Sequence, residues 1–171
     1  MNIKLSEKLK IEDKHVIAVT VDNEFGALAR VVGLFSARGY NIESLSVAVV
    51  DEEKNISKII VTTYGSQETI DLIVKLLNRL VPVHDVIDFS STCPHVERIL
   101  ALIKVKVNQA SREEIIRIGN IHEAKLVDKE KDYFLLQIAD RAVRVRDFVK
   151  LLEPYGIIDI SVSGSSVLAL G

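Results

Sequence analysis

The sequence predicts an α+β protein built from two βαββαβ units in tandem. Two observations carry that reading. Apolar residues alternate with period two in some segments and recur at helical spacing in others, in the order strand, helix, strand, strand, helix, strand. The same order returns after the Ser/Thr/Pro stretch at residues 90–94. Each copy has about 75–80 residues, a workable size for a small domain. Right-handed crossovers make each copy a four-stranded antiparallel sheet with two helices on one face.

The elements follow in order. Residues 15–21 are rich in Val and Ile and read as a strand. A helix over 26–38 places Leu28, Val31, Val32 and Phe35 on one apolar stripe. Gly39 stands where a left-handed helix terminator belongs. Strands over 41–50 and 56–64 flank the turn Asp51-Glu52-Glu53-Lys54-Asn55. A helix over 67–80 turns Ile70, Ile73, Val74 and Leu77 inward, and residues 83–89 form the fourth strand. Ser90 to Pro94 reads as a linker.

The second copy begins with a strand over 96–107. Ser111-Arg112-Glu113-Glu114 has the spacing of a capping box and opens a short helix through Ile118. Strands over 124–128 and 133–139 surround the turn Lys129-Glu130-Lys131. A helix over 143–152 aligns Val145, Phe148, Val149 and Leu152, Pro154 and Gly156 stop it, and 157–163 is the last strand. Several strands carry Ile, Val or Leu on both alternation phases. A second sheet face of that kind is buried against another domain or subunit, so a dimer is expected.

Composition narrows the function. The chain has 171 residues, 48% hydrophobic and 27% charged, the profile of an ordinary globular protein. Its net charge of −2 lacks the basic excess of a nucleic-acid binder. Cys93 is the single cysteine, which excludes an intrachain disulfide and suits a reducing, cytoplasmic setting. Residues 1–13 hold no apolar core of signal-peptide length. No run approaches the roughly 20 apolar residues that span a bilayer.

Reactive constellations are missing from the pattern. His15, His84, His95 and His122 show no spacing typical of zinc ligands. His84 with the neighbouring Asp85 points to opposite faces of a strand, which argues against a shared cation. Cys93 beside His95 lies in the linker, where a thiol–imidazole pair is not expected. Nucleotide-binding glycine loops and nucleophile elbows are absent. Arg38-Gly39-Tyr40 resembles the start of an RNA-recognition signature, but it precedes the second strand instead of lying on the third.

What remains is the loop Asp22 to Gly26, which runs out of one strand and opens a helix at a glycine. A helix N-terminus carries unpaired N–H groups and about half a positive charge. Asp22 or Asn23 can cap it, and Gly26 lets a ligand approach with no Cβ in the way. The loop reads either as an ordinary capped helix start or as a place for a small anion that binds without reacting.

These residues also support a family likeness. Asn23-Glu24-Phe25-Gly26-Ala27-Leu28 and Arg38-Gly39-Tyr40-Asn41-Ile42-Glu43-Ser44-Leu45 closely resemble the ACT domain of the small, regulatory subunit of acetolactate synthase (acetohydroxyacid synthase). Val96-Glu97-Arg98-Ile99-Leu100-Ala101-Leu102-Ile103-Lys104-Val105 is similar to the opening of that family's C-terminal domain. Tyr155-Gly156-Ile157 and Gly164 are similar to its end. The likeness spans residues 14–171. Phe25, Pro82 and Val162 depart from the family's usual residues, and Phe25 is expected to pack the loop.

The resemblance implies two ferredoxin-like βαββαβ domains in tandem. They are an N-terminal ACT domain over 14–90, after an extension over 1–13, and an ACT-like regulatory domain over 96–171, after a linker over 91–95. It implies a non-catalytic, allosteric subunit for the first common step of valine, leucine and isoleucine biosynthesis. The large catalytic subunit joins two pyruvates into 2-acetolactate and CO2. It carries thiamine diphosphate, magnesium and FAD, whereas the small subunit holds no cofactor or metal. The small subunit activates that partner and confers feedback inhibition by valine. By motif, Asn23, Gly26, Ala27 and Leu28 contact valine from one protomer, with Asn41 and Ile42 from its neighbour in an ACT homodimer. The alternative is a stand-alone ACT-domain sensor regulating transcription or another enzyme. No helix-turn-helix pattern supports the transcriptional form.

Overall fold

A computed structural model describes residues 13–171. Most of the expected N-terminal extension falls outside that range; its last residue, Asp13, opens the first strand. The chain divides into two compact units. One holds the described residues through His95 with Ala169–Gly171, and the other spans Val96–Leu168.

The first unit runs β1 (Asp13–Asp22), α1 (Ala27–Ala37), β2 (Ser44–Asp51), β3 (Ile56–Gly65), α2 (Gln67–Leu77), β4 (Val83–Asp88) and α3 (Phe89–Thr92). Its sheet has the order β2-β3-β1-β4, and all pairs are antiparallel. Ile17, Val19 and Val21 of β1 and Ile59 and Val61 of β3 meet Val31 and Phe35 of α1 and Ile70, Ile73 and Leu77 of α2 in one core. The helical stripe of α1 is rotated from the expected one. Ala27, Val31, Leu34 and Phe35 are buried, whereas Leu28 is 39% exposed. The spacings i, i+4, i+7 and i+8 fit a helix face as well as the stripe read from sequence, so periodicity alone does not choose between them.

The centre of the opposite sheet face is also buried, at Val16, Ala18 and Ile60. The exposed apolar surface lies instead on the edge strand β2, where Val47, Val49 and Val50 are 44%, 48% and 53% accessible. The segment expected to be a plain linker carries α3. Asp88 accepts from the Ser90 N–H and the Ser91 hydroxyl, and its Oδ2 lies 3.1 Å from Nδ1 of the buried His15. The Val16 N–H donates to Ser90 Oγ, which fastens α3 to β1.

The second unit repeats the plan. It comprises β5 (His95–Lys106), α4 (Arg112–Ile121), β6 (Lys125–Lys129), β7 (Tyr133–Asp140), α5 (Ala142–Leu152), a 3-10 turn (Glu153–Tyr155), β8 (Ile157–Val162) and β9 (Ser166–Ala169). The order is β6-β7-β5-β8, with β9 also paired to β5. The expected four-stranded sheet is therefore five-stranded. β5 has 12 residues and β8 pairs only with Ala101 to Val105, so the N-terminal half of β5 needs another partner. Ala101, Ile103, Val105, Phe134, Leu136, Phe148 and Leu152 form this unit's core.

The caps show how closely the units match. α1 ends with the Tyr40 N–H on Phe35 O and the Gly39 N–H on Ser36 O, a Schellman motif with Gly39 at φ 70°. α4 ends alike, with the Ala124 N–H on Gly119 O and the Glu123 N–H on Asn120 O, but here Glu123 takes the left-handed position at φ 56°. Glu123→Gly is expected to stabilise the protein by about 0.5–1 kcal/mol: relief of left-handed strain exceeds glycine's extra chain entropy. A higher urea midpoint at unchanged slope checks it.

The capping box at α4 is displaced from its expected place. Ser111 makes no side-chain cap bond to the helix that follows. Instead the Ser111 N–H donates to Asn108 Oδ1 at 2.9 Å and the Asn108 N–H donates to Ser111 Oγ at 3.0 Å. The reciprocal pair thus sits one turn earlier, with Asn108 as cap.

Candidate functional site

The loop from β1 into α1 is built by its neighbours. The Asp22 N–H donates to Pro82 O and the Asn23 N–H donates to Asn55 O, at 2.8 and 2.7 Å. Asn55, left-handed at φ 54°, closes the turn between β2 and β3. Asn23 Nδ2 donates to Asn55 Oδ1 at 3.1 Å, and Asn55 Nδ2 donates to Asn23 O at 3.0 Å. Neither Asn23 nor Asp22 caps the helix, contrary to expectation. Asp22 Oδ1 lies 2.6 Å from His84 Nε2 instead. Asn55 is the residue that sequence reasoning passed over; the only signal was an Asn at the end of a charged turn, a residue that tolerates the left-handed conformation.

Gly26 occupies the N-cap of α1 at φ 84°, with no side-chain cap bond. α2 differs, since Ser66 Oγ caps it at the Thr69 N–H. The Ala27 N–H turns back to Glu24 O, and the first intrahelical bond runs from Arg30 to Gly26. The Leu28 and Ala29 N–H groups, in the first turn, have no intrahelical carbonyl to reach. A Cβ built on Gly26 meets nothing within 4 Å, so the approach is open. Glu24 is held by Arg30 at 2.7 Å, and Asp22 by His84, so both acidic side chains before the helix are engaged elsewhere.

The six expected contact residues differ in what they offer. Gly26 and Leu28 are exposed, Ala27 is buried in the core and can offer only backbone, and Asn23 keeps Oδ1 as an acceptor. Asn41 is exposed and its carbonyl accepts from Thr63 Oγ1 at 2.6 Å, whereas Ile42 packs partly against the core. Both precede β2, which starts at Ser44 and not at Asn41 as expected. They follow the C-terminal end of α1. The 11 residues of that helix span about 16 Å, so one chain does not gather all six positions into one pocket.

Phe25 does not pack the loop. It is fully exposed, and Val81 in the neighbouring connection is 93% exposed. His95 Nδ1 lies 3.2 Å from the Cys93 carbonyl oxygen. Among the described residues, no three His, Cys, Asp or Glu side chains cluster as metal ligands, and no helix is long and apolar enough to cross a membrane.

Comparison with known proteins gives a consistent set of matches. Residues 17–87 match the family described as the AHAS small subunit-like ACT domain, and residues 98–171 match that described as the small subunit of acetolactate synthase. The probable acetolactate synthase small subunit of Archaeoglobus fulgidus is 35% identical over 158 residues, covering 92% of this chain and 98% of the relative. That of Aquifex aeolicus is 39% identical over 152 residues, covering 88% and 78%. The crystal structure of the Thermotoga maritima acetolactate synthase small subunit superposes with a TM-score of 0.84 at 28% identity, covering 93% of this chain and 98% of that one.

Proposed function

The chain belongs to the acetolactate synthase small-subunit family, and we propose on that premise that it activates a large thiamine-dependent subunit and makes it sensitive to valine. The chemistry stays with the large subunit and its thiamine diphosphate, magnesium and FAD. This chain contributes an effector site and no reacting group, and it works in the cytoplasm.

One observation carries the effector reading: α1 opens at an exposed, left-handed Gly26 with no side-chain cap. A carboxylate placed there meets the first-turn N–H groups and the helix dipole, worth about 0.3–1 kcal/mol, or ~2 when partly buried. Asn23 Oδ1 accepts from the ammonium group. Leu28, 39% exposed beside the glycine, meets the isopropyl group. Asn41 and Ile42 complete the pocket from a second protomer, because the length of α1 separates them from Gly26 in their own chain. The apolar strand β2, at the sheet edge among the described residues, is the place for that protomer to join.

Calorimetry on the isolated protein tests the reading. Valine is expected to give a saturable heat, with leucine and isoleucine weaker by about 1–3 kcal/mol, since one methylene separates them in an apolar pocket. Absence of binding by folded protein would remove the effector half of the proposal.

A further inference from the structure

The two units share their backbone plan down to its irregularities, and one end of that plan is finished differently in each. In the first unit the β1–β4 register slips between Thr20 and Val21, and Val21 pairs with Val83. In the second the β5–β8 register slips between Lys104 and Val105, and Val105 pairs with Ile157. The next residues also match. The Asp22 N–H donates to Pro82 O as the Lys106 N–H does to Gly156 O, and the Asn23 N–H donates to Asn55 O as the Val107 N–H does to Asp132 O. The correspondence sets Lys106 against Asp22 and Ile158 against His84.

That exchange changes the surface. Asp22 and His84 join at 2.6 Å across the strand ends. Lys106 and Ile158 form no such pair, and a groove of about 420 Å³ remains, lined by Lys106, Asn108, Asp132, Tyr133, Tyr155 and Ile158. The volume lies in the range of small-molecule sites, roughly 300–1,000 Å³.

The walls are held before any ligand arrives. The Tyr133 hydroxyl donates to Asp128 at 3.0 Å, and Lys104 Nζ sits 3.9 Å over the Tyr133 ring. The bond to Asp128 raises the phenol's pKa above its ordinary value, so it stays protonated and anchored. Asn108 is fixed through Oδ1 by the Ser111 N–H, which leaves its NH2 group to donate. The Lys106 stem lies along Gly156, where φ is 91° and a Cβ would come within 3.4 Å of Lys106 Cδ. Among the described residues the Lys106 ammonium has no carboxylate partner.

We propose that this groove binds a small organic monocarboxylate with a flat apolar body. The carboxylate sits on the Lys106 ammonium and the Asn108 amide, and the body lies against Tyr133, Tyr155 and Ile158. Asp132 also lines the groove, and its negative charge opposes a dianion such as phosphate more than a monocarboxylate. The fixed walls keep the ordering cost of binding low. The proposal is independent of the effector reading at Gly26.

Titration of the full chain with benzoate, followed by amide NMR, tests it, with benzyl alcohol and inorganic phosphate as comparators. Benzoate is expected to shift the Val107, Asn108 and Tyr133 amides saturably at millimolar concentration. Lys106→Met should weaken this at least about tenfold while preserving the dispersed spectrum. Lys106→Arg should retain it, and Gly26→Asp should leave it unchanged. The assignment is overturned if these amides do not respond, if the response survives Lys106→Met, or if phosphate or benzyl alcohol reproduces it.

Discussion

Gly26→Asp is expected to abolish valine inhibition of the reconstituted holoenzyme while leaving most of the activation by this subunit in place. The substitution fixes a carboxylate beside the first-turn N–H groups where the proposal places the effector carboxylate, so the two would compete for one place. The backbone tolerates the change. Position 26 is left-handed at φ 84°, which costs a side chain about 1–2 kcal/mol, and Asp is among the residues that visit that region most readily. The added Cβ meets nothing within 4 Å. Allosteric coupling is typically ~1–3 kcal/mol, a factor of about 5–150 in affinity, and all of it should vanish. Acetolactate formation against valine concentration checks the result. Inhibition unchanged in the variant would count against the site. Gly26→Ala should act more weakly, because it adds the strain without the charge.

Val47→Lys is expected to break the proposed homodimer and, with it, the proposed valine binding. Val47 lies mid-way along β2, a sheet edge, and is 44% exposed in the single chain. In a side-by-side pairing of two β2 edges, two lysines would face each other near the twofold axis, and like charges directly opposite are destabilising. Each would also carry its charge into a surface meant to be apolar. Half-exposed as it is, the position should leave each chain folded, with circular dichroism as the check. Sedimentation should show a monomer, and calorimetry should show no valine heat, because the proposed pocket takes Asn41 and Ile42 from the second protomer. A monomer that still binds valine with undiminished affinity would show that the pocket is not shared.

The order of elements was legible because alternation and helical spacing are local properties. Ile70, Ile73 and Leu77 in α2, and Val145, Phe148 and Leu152 in α5, are buried as their spacing predicts. Gly39 terminates α1 as expected, because glycine takes the positive φ of a Schellman motif without a Cβ penalty. The misses are equally physical. β9 has four residues, too few for a period to register, and it exists to satisfy the free half of β5. The cap of α4 moved to Asn108 because two side chains can serve the same turn. The helical stripe of α1 shifted because sheet contact decides which of two similar faces turns inward.

By itself, the sequence determined the tandem βαββαβ plan and the glycine that opens α1, since both follow from chain-local sterics and patterning. Only the tertiary structure decided that Asn23 binds Asn55, that Asp22 binds His84 and that α1 is left uncapped. Those bonds join residues 32 and 62 positions apart, and no local pattern records which of several polar side chains the fold will bring together.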